Sequence, residues 1–226
     1  SLEYSTQLLL EIVSNAIDEF KRGNGNLIEI KSYKDGSYSV LDHGQGFLIN
    51  QVRPEDGKTI LQAAFDTLNT SGMFTEDGVY EGTALGLNGI GSKLVNFLAH
   101  WLEVTSYRDG KLEKVYFKEG IFDKREIGTC EKNKTGTLVH WLPSEEFFVH
   151  PEVDNNKTDE MFAVLASLCK GLTIKYNDKT YYSDHGLEDL LQVKDKNIEI
   201  TPKHFVMNFE NGKNKINLAM TYTSQY

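Results

Sequence analysis

The sequence predicts an α+β fold, a two-layer sandwich in which helices cover one face of a mixed, mostly antiparallel sheet. Two observations lead to this prediction: most of the predicted strands are joined by hairpin turns, and the predicted helices fall in separate groups. The chain has 226 residues, of which 39% are hydrophobic and 25% charged, so it is long enough to bury a core and has the composition of a globular protein. It contains no internal repeat and no interdomain linker.

The N-terminal third of the chain predicts a helix, a β-hairpin and a second helix. Apolar residues recur at helical spacing over residues 3–20, which is typical of an amphipathic helix. Two apolar runs flank the turn residues Lys34, Asp35 and Gly36, and this arrangement predicts a hairpin. The predicted strands are Leu27–Tyr33 and Tyr38–Asp42, and the second helix is Thr59–Leu68.

The segment of residues 70–91 contains six glycines and predicts a long loop. Long loops in compact domains are often functional. After this segment, apolar runs separated by turn residues predict further helices and strands. The predicted helices are Ser92–Ala99, Asp159–Lys170 and Gly186–Gln192, and the predicted strands are Trp101–Tyr107, Leu112–Phe117, Gly136–Leu142, Leu172–Tyr176, Tyr181–Tyr182 and Ile216–Tyr222.

Charge and cysteine content exclude several functions. Lys and Arg total 24 while Asp and Glu total 33, and a net charge of −9 makes the chain a poor direct binder of DNA phosphates. No stretch of 18 or more apolar residues occurs, so no transmembrane helix is predicted. The two cysteines do not form a disulfide framework, which favours a reducing compartment, and we expect a cytoplasmic protein.

Polar residues of the first predicted helix share one face. Glu11, Asn15 and Asp18 are spaced i, i+4 and i+7, opposite the apolar face. Such a face is often only solvated, as in most amphipathic helices. It can also line a site, and an asparagine in the middle of a helix slightly favours that interpretation.

Three further segments carry residues that suit a nucleotide. Asp42–Gly46 follows a strand, and a carboxylate there can accept a hydrogen bond from an exocyclic amine, although ordinary turns have the same composition. Gly86–Gly91 opens a predicted helix whose free N–H groups suit a phosphate, but it is neither a Rossmann fingerprint nor a Walker P-loop. In Lys134–Thr137, the side chain of Thr137 could hold a water or a polar ligand edge, although threonine is common in strands.

Together, in this order and spacing, the four segments resemble the ATP site of the superfamily of gyrases, heat-shock chaperones, histidine kinases and mismatch-repair ATPases. Glu11–Glu19 looks like the first motif of the B subunits of bacterial type IIA topoisomerases, gyrase or topoisomerase IV. Gly86–Asn96 is similar to the phosphate-binding motif of that family, and Lys134–Ser144 to its Thr-Gly-Thr strand. The resemblance also includes Trp101–Gly110 and Ile216–Tyr226, covers nearly the whole chain, and implies the Bergerat-type ATP-binding fold.

The resemblance implies a role for each matching residue. Glu11 would be the general base that activates a water for attack on the γ-phosphate of ATP, and Asn15 would bind Mg²⁺. Asp42 would accept a hydrogen bond from the adenine amino group, and Thr137 would support it through a shared water. The other residues expected to contact the nucleotide are Asp18 and Glu19 in the pocket, Gly46 against the base, Phe47 beside it, Gly86, Leu87, Asn88, Gly89 and Gly91 around the phosphates, and Arg108 at the rim.

Three residues depart from the pattern of this family. Gln45 stands where the family often has an arginine that pairs with the acid matching Glu19, so we expect a less fixed pocket rim. Leu48 replaces the usual bacterial proline, and Asn88 replaces the usual bacterial histidine. Glu11, Asn15 and Asp42 are present, so these departures affect the subfamily assignment and not the catalytic residues.

The resemblance further implies that the chain is a fragment of a longer protein. We expect residues 1–212 to form the ATP-binding domain, with a glycine-rich lid at about 70–91, and residues 213–226 to begin a transducer domain. The parent would be a B subunit that dimerises on ATP and acts with an A subunit in DNA strand passage, with DNA bound by other parts of the holoenzyme. The isolated fragment is expected to be a monomer that hydrolyses ATP weakly and accepts aminocoumarin-type inhibitors.

Other functions remain open at this point. A mismatch-repair or chaperone-type ATPase would share the same fold and the Glu, Asn and Asp elements. A nucleotide-binding module with negligible turnover is a second alternative, and an acidic interaction domain with coincidental motifs is a third. A histidine kinase is disfavoured, because it transfers the phosphoryl group to histidine and lacks a base matching Glu11.

Overall fold

A computed structural model describes residues 2–66, 88–194, 205–212 and 214–220. The chain divides into two compact units, Ser1–Asp154 and Asn155–Tyr226. The elements of the first unit, in chain order, are β1 (Leu2–Tyr4), α1 (Thr6–Lys21), β2 (Leu27–Ser32), β3 (Tyr38–Asp42), α2 (Ile60–Phe65), α3 (Asn88–Leu98), β4 (Ala99–Arg108), β5 (Lys111–Lys118), β6 (Ile121–Thr129), β7 (Gly136–Pro143) and β8 (Phe148–His150).

The sheet of the first unit contains β2, β3, β7, β4, β5 and β6 in that order, and each of these neighbouring pairs is antiparallel. A separate parallel pair joins β1 to β8. Strand β3 lies beside β7, although Asp42 and Gly136 are far apart along the chain. In this register Leu41 lies opposite Leu138, so Asp42 at the end of β3 comes next to Gly136 and Thr137.

Helix α3 contacts both α1 and α2, and the helices pack on the sheet, with α1 against β3 and α3 against β4. Helix α1 buries one continuous apolar face because its apolar residues recur every three or four positions. Its buried residues are Thr6, Leu8, Leu9, Ile12, Val13, Ala16 and Ile17. The prediction of a mixed, mostly antiparallel sheet covered by helices is therefore confirmed.

The elements of the second unit are α4 (Asn155–Leu168), β9 (Thr173–Tyr176), β10 (Lys179–Tyr181), α5 (Leu187–Lys194), β11 (Phe205–Asn211) and β12 (Asn214–Met220). Two antiparallel hairpins, β9–β10 and β11–β12, accompany the two helices. Phe162 of α4 is fully buried and packs edge-on against Tyr176 and Tyr181. Among residues 2–66, 88–194, 205–212 and 214–220, no helix is long and apolar enough to cross a membrane.

The structure contains strands that the sequence pattern did not predict, namely β1, β6, β8 and β11. Strand β6 is the clearest case, because Asp123–Glu126 is a charged run typical of a loop. It is an edge strand whose residues are mostly exposed, and its backbone pairs with β5. Pairing through the backbone does not require alternating apolar side chains, so periodicity gave no signal here.

Several predicted boundaries shift. Helix α1 begins at Thr6 because Leu2–Tyr4 pairs with β8, and α4 begins at Asn155 rather than at Asp159. Residues 88–91, which we predicted as the end of a loop, instead open α3. The rest of the predicted glycine-rich loop, the predicted end of the second helix at 67–68 and the predicted strand end at 221–222 lie outside the described residues.

We expect that Leu9→Ala will lower the free energy of unfolding by about 3 kcal/mol, because the mutation opens a cavity beneath α1 that the surroundings fill only partly. Leu9 is fully buried in the apolar face of α1. Urea denaturation followed by tryptophan fluorescence will measure this loss, since Trp101 and Trp141 both lie in the first unit. The exposed Ser14→Ala in the same helix is the control and should change stability by less than about 0.5 kcal/mol.

Candidate functional site

A cavity of about 530 Å³ lies in the first unit between α1, α2, α3 and the paired ends of β3 and β7. This volume is within the usual range for small-molecule and cofactor sites. Seven residues that the sequence predicted as nucleotide contacts line it: Asn15, Asp18, Glu19, Asp42, Gly46, Phe47 and Thr137. The folded chain therefore brings together residues from three of the four predicted motifs.

Asp42 provides a partly buried carboxylate in this cavity. Its Oδ1 accepts hydrogen bonds from the backbone N–H of Gly44 at 2.8 Å and of Thr137 at 3.2 Å. Burial raises the pKa of Asp42 to about 6, since these two hydrogen bonds only partly offset the loss of solvent. In the described part of the chain Oδ2 accepts no hydrogen bond, so it is available to a donor on a ligand.

Thr137 contacts Asp42 through its backbone N–H, which is a more direct contact than the shared water expected from the sequence. Gly136 makes this close approach of β3 and β7 possible. A Cβ at Gly136 would lie 2.0 Å from the carbonyl oxygen of Asp42, and the φ of Gly136 is +120°, a conformation that favours glycine. The short Thr-Gly-Thr segment is therefore needed for strand geometry as well as for the site.

The loop after Asp42 forms one wall of the cavity and is held by β4. Gly46 has a φ of +70°, and a Cβ there would lie 2.5 Å from the carbonyl oxygen of Tyr107. The Oγ of Ser106 accepts from the N–H of Phe47 at 2.7 Å. Arg108, predicted at the pocket rim, does not line the cavity; its Nη1 donates to the carbonyl of Gly46 at 3.1 Å. Arg108 thus positions the loop.

The predicted polar face of α1 divides into two parts. Asn15 and Asp18 line the cavity, and Asp18 Oδ2 is buried with no hydrogen-bond partner among the described residues. Glu11 does not line the cavity, and its Oε1 accepts from Gln7 Nε2 at 2.7 Å. Gly91 of α3 lies against the Glu11 carboxylate, since a Cβ there would be 2.1 Å from Oε2. The start of α3 is therefore beside Glu11.

The rim at Glu19 has contacts that the sequence analysis did not assign. The expected arginine is replaced by Gln45, but Arg22, the residue that follows α1, pairs with Glu19 Oε1 at 2.6 Å. Asn24 Nδ2 donates to Glu19 Oε2 at 3.2 Å and its Oδ1 accepts from Gln45 Nε2 at 3.0 Å. Arg22 and Asn24 thus contact Glu19 in the absence of that arginine, and the expectation of a less fixed rim stays a prediction.

The cavity also has an apolar wall and, besides Arg22, two cationic side chains that the sequence analysis did not assign. The apolar wall comes from α2, where Phe65 packs edge-on against Phe47. Arg53 and Lys93 line the cavity as well, and partial burial together with Arg53 lowers the pKa of Lys93. Lys93 follows the glycine motif by two residues and could have been found from that spacing. Arg53 lies in a turn-rich segment that carries no such signal.

Parts of the predicted phosphate motif fall outside this description. Gly86 and Leu87 lie outside the described residues, and Asn88 and Gly89 are the first residues of α3.

Among the described residues, no cluster of three or more His, Cys, Asp or Glu side chains could hold a metal ion. The side chains that suit Mg²⁺ are Asn15 and the unpartnered oxygen of Asp18, because Mg²⁺ takes hard oxygen ligands and commonly uses only one or two from the protein.

The sequence matches no protein-family model. It is 33% identical over 229 residues to the B subunit of DNA topoisomerase 4 from Streptococcus pneumoniae, a match that covers 97% of this chain and 35% of the relative. It is 30% identical over 238 residues to the B subunit of DNA gyrase from Thermotoga maritima, a match that covers 97% of this chain and 36% of the relative. The chain thus spans about a third of the length of these curated relatives.

Two solved structures share the fold. The 43K ATPase domain of Thermus thermophilus gyrase B in complex with an aminocoumarin superposes with a TM-score of 0.79 at 24% identity, over 97% of this chain and 57% of that one. The topoisomerase IV ATP-binding domain of Francisella tularensis in complex with a small-molecule inhibitor gives a TM-score of 0.78 at 27% identity, over 96% of this chain and 59% of that one.

We expect that Asp42→Asn will raise the free energy of unfolding at pH 7.5. The pKa of Asp42 is about 6 in the folded chain against an ordinary value of 3.8, so between these values the folded state binds more protons. The contribution of Asp42 to stability is therefore largest below pH 4 and is lost as the pH rises from about 4 to about 6, by about 3 kcal/mol at most. Asparagine does not ionise, so the Asp42→Asn protein does not lose this stability as the pH rises.

Urea denaturation of both proteins at intervals between pH 4 and pH 7.5 will measure the effect. The exposed Asp178→Asn is the control and should keep the pH profile of the unmutated chain. Parallel profiles for Asp42→Asn and the unmutated chain would contradict the assignment of a raised pKa to Asp42.

Proposed function

We propose that this chain, which belongs to the family of the B subunits of type II DNA topoisomerases, binds and hydrolyses ATP. The observation that carries the proposal is the partly buried carboxylate of Asp42, which lines a nucleotide-sized cavity and whose Oδ2 accepts no hydrogen bond from the described residues. The two relatives are topoisomerase and gyrase B subunits, and the similar solved structures are described as an ATPase domain and an ATP-binding domain.

Asp42 would recognise the adenine base. Ionised Oδ2 accepts a hydrogen bond from the exocyclic amino group of adenine, whereas guanine would place a carbonyl there and leave both acceptors unpaired. Phe47 and Phe65 offer an apolar surface to the base, and Gly46 lets it approach the backbone. This end of the cavity therefore favours adenine nucleotides.

The phosphates would lie towards α3. The N-terminal turn of that helix presents backbone N–H groups and the positive end of the helix dipole, which favour an anion. Asn15 would hold Mg²⁺, with the unpartnered Oδ2 of Asp18 nearby as a second oxygen. When bound, Mg²⁺ neutralises charge on the phosphates. Glu11, beside Gly91, would orient a water and accept its proton.

The role in the whole protein follows from the family and is part of the proposal. The parent would be a B subunit that dimerises on ATP and works with an A subunit in DNA strand passage. The net charge of −9 favours DNA binding by other parts of such an enzyme. A location in the cytoplasm, a monomeric isolated chain and a pocket open to aminocoumarin-type inhibitors belong to the same proposal, as does a transducer domain beginning at residue 213.

A second candidate is a nucleotide-binding module with negligible turnover. It is favoured by the position of Glu11, which lies outside the cavity lining and is held by Gln7. Nucleotide binding without hydrolysis would select this alternative. The two candidates share the adenine site and differ only in whether Glu11 reaches a water at the γ-phosphate.

We expect that Asp42→Asn will weaken binding of a non-hydrolysable ATP analogue by roughly 30-fold, or about 2 kcal/mol, because a charged hydrogen bond is lost. Asparagine can keep the contacts to Gly44 and Thr137 through its carbonyl oxygen, and its amino group then faces the adenine amino group. Calorimetric titration with Mg²⁺ at pH 7.5 will measure the change. Asp178→Asn is the control, and equal affinity of all three proteins would rule out adenine at Asp42.

We expect that Glu11→Gln will keep the affinity for the ATP analogue within about threefold and lower the rate of ATP hydrolysis at least roughly 100-fold, because the general base is lost. Phosphate release will measure the rate, and calorimetry the affinity. The exposed Glu145→Gln is the matched control and should hydrolyse ATP like the unmutated chain. Unchanged hydrolysis in Glu11→Gln would remove Glu11 from the mechanism, and no hydrolysis in any of the proteins would select the binding module.

A further inference from the structure

We infer that Glu113 is a positioning residue for the nucleotide base, because its buried carboxylate holds the loop that carries Gly46 and Phe47. This inference rests on the proposed function, since it concerns the same cavity. Glu113 lies on β5, outside the cavity lining, and the motifs found in the sequence did not include it.

The burial of Glu113 needs an explanation. Its side chain is 0% exposed and lies on the buried face of β5, together with Val115 and Phe117. Oε1 is buried without a hydrogen-bond partner among the described residues, and Nη1 of Arg125 is 3.9 Å away. Burying a carboxyl group that is only partly satisfied costs free energy, and an apolar residue would suit this position of the sheet better. A compensating role is therefore expected.

The other oxygen of Glu113 shows what that role is. Oε2 accepts a hydrogen bond of 2.6 Å from the backbone N–H of Asn50, which is short and charge-assisted. Asn50 has a φ of +56°, in the left-handed region that only glycine and a few other residues adopt at small cost. The carboxylate thus holds the left-handed turn at which the loop leaves the site.

Glu113 completes a set of contacts from the β4–β5 hairpin to this loop. Arg108 holds the carbonyl of Gly46, and Ser106 both accepts from the N–H and donates to the carbonyl of Phe47. Glu113 holds the loop three residues further on, at Asn50. Phe47 lies between these contacts and lines the cavity, so release of Asn50 would displace the aromatic wall beside the base.

The test compares two substitutions at one position. Glu113→Leu keeps the approximate size and removes the acceptor, and Glu113→Gln keeps a neutral carbonyl acceptor for Asn50. Thr105→Val is the matched control, because Thr105 on β4 is 1% exposed and its hydroxyl has no hydrogen-bond partner among the described residues. Each protein is titrated with the non-hydrolysable ATP analogue and Mg²⁺, and hydrogen exchange of the Asn50 amide is followed by NMR.

We expect the Kd of the analogue to rise about tenfold in Glu113→Leu and about threefold in Glu113→Gln, following the strength of the hydrogen bond to Asn50. Protection of the Asn50 amide from hydrogen exchange should fall more in Glu113→Leu than in Glu113→Gln, while protection of the Val40 amide in β3 stays unchanged. Thr105→Val should match the unmutated chain in both measurements. This graded response at one amide is not expected of a residue that only stabilises the fold.

Three results would overturn the inference: an unchanged Kd in Glu113→Leu, a Kd that rises without loss of Asn50 protection, or loss of protection throughout the sheet. If Glu113→Leu does not fold, the test rests on Glu113→Gln. Unchanged affinity for the analogue together with unchanged protection of the Asn50 amide in Glu113→Gln would then overturn the inference. Failure of the unmutated chain to bind the analogue would instead count against the proposed function. In that case the exchange data alone test the contact between Glu113 and the loop.

Discussion

The site depends on the pairing of β3 with β7, which buries the carboxylate of Asp42. The pairing requires Gly136, since any Cβ there would collide with the carbonyl of Asp42. It also places the N–H of Thr137 against Oδ1 and leaves Oδ2 in the cavity. Burial raises the pKa of this carboxyl group to about 6, so the folded chain carries a destabilised charge at neutral pH. Such a cost at one position is common where a polar group is kept for binding.

The cavity separates charge along its length. The carboxylates of Asp18, Glu19 and Asp42 lie on its α1 and β3 sides, while Arg53 and Lys93 lie towards α2 and the start of α3. The Glu19 carboxylate is already paired with Arg22, but Asp18 keeps a buried oxygen without a partner among the described residues. A nucleotide with Mg²⁺ complements this arrangement, because its base carries a donor and its phosphates carry negative charge. Under the proposed function, this distribution explains how an acidic chain can bind a polyanionic nucleotide.

The wall beside the base is a loop, and loops need support to hold a ligand in one geometry. Here the support comes from the β4–β5 hairpin, through Arg108, Ser106 and Glu113. Arg108 therefore acts on the site through Gly46 and does not line it. Glu11 also does not line the cavity; it lies beside Gly91 of α3. The groups proposed to contact adenine are therefore already in place in this structure. Glu11, the proposed general base, lies outside the cavity lining and is bonded to Gln7.

The sequence by itself determined the fold class, the amphipathic α1 and the residues Asn15, Asp18 and Asp42 of the site, because helical periodicity, strand ends and glycine spacing are local properties. Family resemblance supplied their roles. Only the tertiary structure decided that Arg22 replaces the missing arginine at the rim, that Phe65 and Arg53 line the cavity, and that β6 is a strand. The reason is that each of these features depends on which groups lie against one another after folding, whether one helical turn apart, as for Arg22 and Glu19, or further along the chain, as for Phe65 and Phe47. A charged run, a helix end or a buried glutamate looks the same in a sequence whether or not another element packs against it.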